Sequence, residues 1–490
     1  MREYSPKRRT ALVMAGSGTS GAYHAGVLKA LDESGVKLDL VVGSGVGTVA
    51  AVFAAVAGGA KLYGPGGFWA DVGWDALYRL RTPARVALLL LGAAFGVFML
   101  PLALAVLAGL LFPLFLVADL VAPGLPTRVV GDLWAVPTAL RTPYLAALAI
   151  PVFSLSALAI LYLARLYLGD RRRFAEGFES LLDARPARER LSRALWEVVR
   201  GAATSSAPPP PELGRRYVAL LAENLGQPGF RELVLRPADL EAGGPLPFVL
   251  LQDAAGASFA AARGPRSRVE GMADAVDLRA PGYDAMLFDA ALTGLLPPLV
   301  APVRRIAFPR GGIHGGETRR LADGSLAGGC GIAEALAAGA EQVIVASAAP
   351  ETPMLPPRRR GARALADAVL STLERQAVDA ELRGAERTNR MIETIGHHVE
   401  DGGRAWQDPV SGRVFREIAL YVIRPDRRAL GPLELDGAQD PSTEVKETPI
   451  DLLEQGYRDA YRLFVEPVVG GVAEPRREEA LVGERQAVQL

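Results

Sequence analysis

The chain contains a single cysteine, Cys330, among 490 residues. Neither a disulfide framework nor a cysteine-built zinc site can come from one thiol, and such usage fits a reducing compartment. Net charge is also missing, because 54 Lys and Arg balance 54 Asp and Glu. Nucleic-acid binding draws on a basic surplus to meet phosphates, and no such surplus exists overall. The low apolar content of a disordered chain is absent too: 50% of residues are hydrophobic and the mean hydropathy is +0.19, far from that class. An export signal is not apparent either. The basic opening MREYSPKRRT runs into ALVMAGSGTSG, whose glycines interrupt the apolar stretch after five residues, too early for a signal core. At about 150 residues per domain, the length allows two to four units, each able to bury a core.

The apolar surplus is concentrated. Residues 86–118 carry no charge, and neither do residues 142–164. Each run exceeds the roughly 20 residues needed to cross a bilayer core. The other reading of the two runs is a hydrophobic hairpin packed on the globular part, or a re-entrant segment. Pro101 and Pro113 lie in the first run, where a kink is expected. Arg79, Arg81 and Arg85 precede the first run, and Arg165, Arg171, Arg172 and Arg173 follow the second. The connection between them holds Asp119, Arg128, Asp132 and Arg141, which cancel. By the positive-inside rule the outer flanks are cytoplasmic, and the two spans return the chain to the side it left.

After the hairpin, residues 171–200 read as a charged amphipathic helix, suited to a membrane surface or a bundle, or equally to a solvated face. Residues 201–214, GAATSSAPPPPELG, read as a linker. Beyond it, β-like stretches (ELVLRPADL, PLPFVLLQD, EQVIVASAA, REIALYVIRP) alternate with helical ones, the pattern of an α/β sheet.

Two glycine-rich segments carry the chemistry. In the first, an apolar strand from Ala11 enters a loop with Gly16, Gly18 and Gly21, then a helix whose apolar face holds Val27, Leu28 and Leu31. Backbone amides at such a helix start suit an anion or an oxyanion. The spacing alone also fits a dinucleotide site, whereas a phosphate-binding P-loop is unlike it, because no Gly-Lys-Ser/Thr follows. In the second, strand, glycine turn and helix recur in LDLVVGSGVGTVAAVF, with Gly43, Gly45 and Gly47. This is the pattern of a nucleophile elbow, Gly-x-nucleophile-x-Gly. Gly43 and Gly47 take the outer glycine places, which makes Gly45 the nucleophile position.

At these residues the chain resembles the patatin-like phospholipase family, which pairs a glycine-rich oxyanion loop with a Gly-x-Ser-x-Gly elbow. YHAGVLKALDESGVKLDLVVGSGVGTVAA is similar to the family's first strand–helix–strand–helix unit. LRPADLEAGGPLPF and LFDAALTGLLPPLVAPVRRIAFP resemble its mid-domain segments, and LADGSLAGGCGIAEALAAGAEQVIVAS its Asp-Gly-Gly/Ala motif with the following helix and strand. The likeness covers residues 10 to about 70 and 228 to about 350. It implies a three-layer α/β sandwich around a mostly parallel sheet, interrupted by the transmembrane helical hairpin. The expected divisions are 1–80 and 215–350 for the patatin-like domain, 81–170 for the hairpin, and 171–214 for the amphipathic helix and linker. A C-terminal extension, 351–470, and a loose tail, 471–490, follow.

The family's chemistry is a Ser–Asp dyad. Asp323, in Asp323-Gly324-Ser325, matches the aspartate. The serine does not match, since Gly45 stands in its place and has no nucleophilic atom. The oxyanion loop reads Gly16-Ser17-Gly18-Thr19-Ser20-Gly21, with Ser20 where the family carries Arg or Lys. The asparagine often found after the aspartate is missing from Gly328-Gly329-Cys330.

Ser44 is the nearest substitute nucleophile, but Val42 and Val46 flank it and its side chain should face away. Ser17, Ser20 and Thr48 have ordinary loop or cap roles. His24 is expected in the core or on a helix surface, His314 lies in a loop before Asp323, and adjacent His397 and His398 make a poor metal pair. Cys330 most simply packs beside a helix start.

The expected function is a membrane-anchored lipid-metabolism protein that binds an acyl lipid, its acyl-ester hydrolase activity lost or strongly reduced. An active hydrolase using Ser44, and a scaffold or regulatory membrane protein, are the alternatives. The bilayer and an acyl ligand are the expected partners, a protein partner is left open, and no nucleic acid, cofactor or metal is implied.

Overall fold

The computed structural model describes residues 4–69, 77–119, 123, parts of 147–160, 180–201, 206–262, 275–311, 314–351, 362–396, 405–407, 414–425, 433–434 and 448–469. They fall into two compact units, Leu80–Asp183 and the remainder of the chain.

The larger unit is α/β. Its central sheet comprises β1 (Thr10–Gly16), β2 (Leu40–Gly45), β3 (Glu232–Arg236), β4 (Phe248–Leu250), β5 (Val276–Asp277), β6 (Gln342–Ser347) and β7 (Ala419–Ile423), in the order β7-β6-β1-β2-β3-β4-β5. Every neighbouring pair is parallel except β3–β4. β1, β2, β3 and β6 are buried along their whole length. That explains why they read as unbroken apolar runs rather than alternating ones, since a parallel sheet is covered on both faces.

On one face Ala11, Val13, Val42, Val234 and Val345 pack with Phe259, Ile332, Val378 and Leu382. Those partners come from the helices Asp253–Ala262, Ile332–Ala337 and Ala362–Gly396. The opposite face lies under α1 (Gly21–Glu33) and α2 (Gly47–Ala55). Helix Pro210–Asn224 packs outside α2, and its Tyr217 hydroxyl donates to the Val52 carbonyl at 2.6 Å. Helix, sheet and helix therefore form three layers. A second, antiparallel sheet, ordered Arg304–Ala307, Thr318–Ala322, Ala238–Asp239 and Gly244–Pro245, delivers the chain to Asp323.

Two sequence expectations change. Residues 201–214 are not linker throughout, because a helix begins at Pro210; proline suits the first helical turn, where its missing N–H loses nothing. The helix expected over 171–200 is described as Arg185–Val199, with Leu191, Leu195 and Trp196 buried. Its apolar stripe is covered by protein, as in a bundle helix. Residues 171–179, His397, His398 and the tail 471–490 lie outside the described residues.

In the smaller unit, helix Thr82–Asp119 has 38 residues, about 57 Å at 1.5 Å per residue, and it continues through Pro101 and Pro113. Its stretch Thr82–Leu100 is long and apolar enough to cross a membrane, with none of it buried. Leu89, Phe95 and Leu110 are exposed. The second charge-free run is helical where described between 147 and 160. Its remaining positions, and nearly all of the connection expected from 119 to 141, lie outside the described residues, so the second span and its sidedness do too.

Candidate functional site

β2 ends at Gly45, whose φ of +60° lies in the left-handed region. The flanking glycines answer a steric demand. A Cβ on Gly43 would come within 2.5 Å of the Gly47 carbonyl, and one on Gly47 within 2.1 Å of the Met14 carbonyl. The turn thus has the glycine requirements of an elbow, with Thr48 Oγ1 donating to the Gly45 carbonyl at 2.8 Å.

At the centre of that elbow there is no room. A Cβ on Gly45 would lie 1.9 Å from the Gly16 carbonyl oxygen and 2.8 Å from Asp323 Oδ1. The register that pairs Gly16 with Gly45 across β1 and β2 carries that carbonyl onward to accept the Val46 amide at 2.8 Å. In an elbow enzyme the amide after the nucleophile is an oxyanion donor. One backbone carbonyl here fills the side-chain place at position 45 and engages the amide of position 46.

The glycine loop closes on itself. After β1, Gly18 adopts φ +61° and a 3₁₀ turn, Gly18–Ser20, leads into α1. Ser20 is buried and donates to the Ser17 carbonyl at 3.0 Å. Ser17 in turn donates to Glu374 Oε2 at 2.9 Å. Tyr78 closes the other side, its hydroxyl donating to the Gly18 carbonyl at 3.1 Å. Gly21 is held against the Trp69 ring, which a Cβ there would approach to 2.3 Å.

Asp323 follows the strand Thr318–Ala322 and caps the turn Gly324–Ala327. It is fully buried; Oδ1 accepts the Ser325 amide at 2.8 Å, while Oδ2 has no hydrogen-bond partner among the described residues. Burial pushes its pKa up to about 8; the Ser325 donors and the Gly18 amide pull it down, and the Glu374 carboxyl adds to the rise. Glu374 is itself raised to about 7, chiefly by burial, against the stabilising Ser17 hydroxyl. With no cation among the described residues paired to either, both carboxyls take a proton far more readily than exposed ones do.

Ser44 faces elsewhere, as alternation along a strand requires. Its Oγ lies 3.5 Å from Arg236 Nη1. Arg236 is buried, paired with Glu334 at 3.0 Å and bonded to the Gly328 and Gly329 carbonyls. Beside it, Glu381 Oε2 accepts the amides of Cys330, Gly331 and Ile332 at 2.9–3.0 Å and the Cys330 thiol at 3.1 Å. Burial, then Glu381, pushes that thiol well above its usual pKa, the opposite of a reactive cysteine. His24 is buried; its Nε2 lies 3.0 Å from the Ala15 carbonyl and therefore carries the proton, and burial lowers its pKa to about 4. His314, at φ +68°, packs edge-on against Phe308.

The structure therefore brings Gly16, Gly45 and Asp323 into contact and sets Ser17, Gly18, Ser20 and Gly21 around them, while the Ser44 side chain turns towards Arg236. Tyr78, Glu374 and Trp69 were not found from the sequence, and none sits in a recurring motif. Among the described residues no group of His, Cys, Asp and Glu could hold a metal ion.

The chain matches no protein-family model and no curated protein. Among solved structures it is similar to VipD from Legionella pneumophila, with a TM-score of 0.30 and 12% identity over 94% of this chain and 67% of that one. A likeness at that score decides neither family nor activity.

Proposed function

We propose that the chain is a membrane-anchored, patatin-like protein of lipid metabolism that binds an acyl lipid and has lost, or nearly lost, acyl-ester hydrolysis. The observation that carries this is the Gly16 carbonyl standing in the side-chain place of Gly45, against Asp323. In a Ser–Asp dyad the serine oxygen bonds to the acyl carbon while the aspartate takes its proton. Here the attacking oxygen is missing, and an aspartate of pKa about 8 is mostly protonated at neutral pH. Hydrolysis would fall to water, which keeps only a small part of a nucleophile enzyme's rate.

Anchoring follows from the exposed apolar helix Thr82–Asp119. With the second charge-free run it forms a two-span hairpin whose arginine-rich flanks lie on the cytoplasmic side. An active hydrolase built on Ser44 is the weaker reading, since that hydroxyl lies beside the buried Arg236 guanidinium, which cannot act as its general base.

Two measurements test the proposal. The detergent-purified chain should turn over neither a chromogenic acyl ester nor a phospholipid above the rate of a Gly45→Ala variant. Mass spectrometry of the same preparation should find co-purified acyl lipid. Rapid turnover refutes the loss of activity, and a lipid-free preparation refutes lipid binding and favours a scaffold. A reporter fused within 119–141 should read out on the non-cytoplasmic side; a cytoplasmic signal refutes the hairpin.

A further inference from the structure

The long helix Ala362–Gly396 covers one face of the central sheet, and burial divides it cleanly. Leu370, Glu374, Val378, Leu382 and Ala385 are buried, three or four residues apart as one side of a helix requires. The outward stripe, at 365, 369, 373, 376, 380, 383, 387 and 390, has a composition of its own. Its first half exposes Leu365, Val369 and Leu373, at 68%, 49% and 54% of their surface. Its second half exposes Arg383, Arg387 and Arg390. Among the described residues none of these three guanidinium groups is ion-paired, and the stripe carries no carboxylate; the exposed Glu386 and Glu393 lie on its flank.

An apolar ridge that runs on into three arginines is more than a solvated face needs. A solvated stripe mixes both charge signs and seldom lines up three large apolar side chains at one-turn spacing. We propose that this stripe docks the α/β unit on an anionic lipid bilayer. The ridge enters the headgroup–acyl boundary and the arginines meet lipid phosphates. The single-signed stripe selects an anionic surface over a neutral one. This contact is separate from the hairpin and stands whether or not the hairpin spans.

The test uses the full chain carrying an environment-sensitive fluorophore on Val369→Cys; Cys330 is buried and stays unlabelled. A second variant, Asp253→Cys, labels a fully solvated position away from the stripe. Vesicles of phosphatidylcholine with phosphatidylglycerol should shift the emission at 369 to the blue, leave 253 unchanged, and lose their effect at high salt. Replacing Arg383, Arg387 and Arg390 with Gln, all at exposed sites that should leave the melting curve unaltered, should weaken the response roughly a hundredfold, about fivefold for each charge. An unshifted probe on anionic vesicles overturns the proposal, as does an equal shift on pure phosphatidylcholine. A shift caused by polyglutamate but not by vesicles overturns it too, and gives the stripe to an acidic protein. Sedimentation with vesicles reports the hairpin, so a chain held in the bilayer with a solvated probe at 369 defeats this proposal alone.

Discussion

Restoring the missing hydroxyl offers the sharpest perturbation: Gly45→Ser recreates the sequence of a nucleophile elbow in one step. The structure predicts that it destabilises the protein and restores no activity. A non-glycine residue at φ +60° costs roughly 1–2 kcal/mol. The new Cβ would stand 1.9 Å from the Gly16 oxygen, so the loop after β1 must move, and the Val46–Gly16 hydrogen bond is lost. Leaving a buried amide unpaired adds roughly 1–3 kcal/mol. The total, about 2–5 kcal/mol, corresponds to a fall in Tm of roughly 2–6 °C for a unit of this size. Thermal melting by circular dichroism measures it, with Gly45→Ala as companion; the two should fall together, since the Cβ rather than the hydroxyl does the damage. Ester hydrolysis by Gly45→Ser should remain at the Gly45→Ala level. A Gly45→Ser protein that melts like the parent and hydrolyses an ester would refute the closed elbow.

Asp323 supplies a pH test. Its folded pKa of about 8 lies above the ordinary 3.8, so the folded state holds a proton that the unfolded state has released. Stability must then fall as pH rises from about 4 to about 8, and Asp323→Asn should melt higher than the parent at pH 8–9 while nearly matching it at pH 5. Glu334→Gln takes from the buried Arg236 the carboxylate it is paired with, leaving Glu381 nearby, and should cost roughly 1–3 kcal/mol in urea unfolding. α1 and helix Pro449–Ala460 meet through two glycines: a Cβ on Gly26 would lie 1.9 Å from the Leu453 carbonyl, and one on Gly456 2.1 Å from that of Tyr23. Gly456→Ala should therefore cost about 1–3 kcal/mol, with hydrogen exchange rising first in the terminal helix.

How much of this was legible in the sequence depended on whether the cause was local. The elbow could be read because Gly43 and Gly47 are demanded by atoms only a few residues away or on the neighbouring strand, and spacing records that demand. The strands could be read because a sheet buried on both faces needs unbroken apolar runs. The closure of the elbow could not. It depends on the register of β1 against β2, which aims the Gly16 carbonyl at position 45, and register leaves no mark in glycine spacing. Glu374 and Tyr78 were invisible for a related reason: each reaches the loop from a distant segment, and an isolated Glu or Tyr there reads as surface. The helix starting at Pro210 was masked by its prolines, which signal a linker in a row but a helix start at its end.

The central claim is that this elbow has no working nucleophile. Its most direct test is labelling of the purified full-length chain with a fluorophosphonate probe, followed by peptide mapping. The account predicts no adduct at any serine in residues 10–60, and the same blank result in Ser44→Ala. An adduct on Ser44, abolished in Ser44→Ala and accompanied by ester turnover, would contradict it.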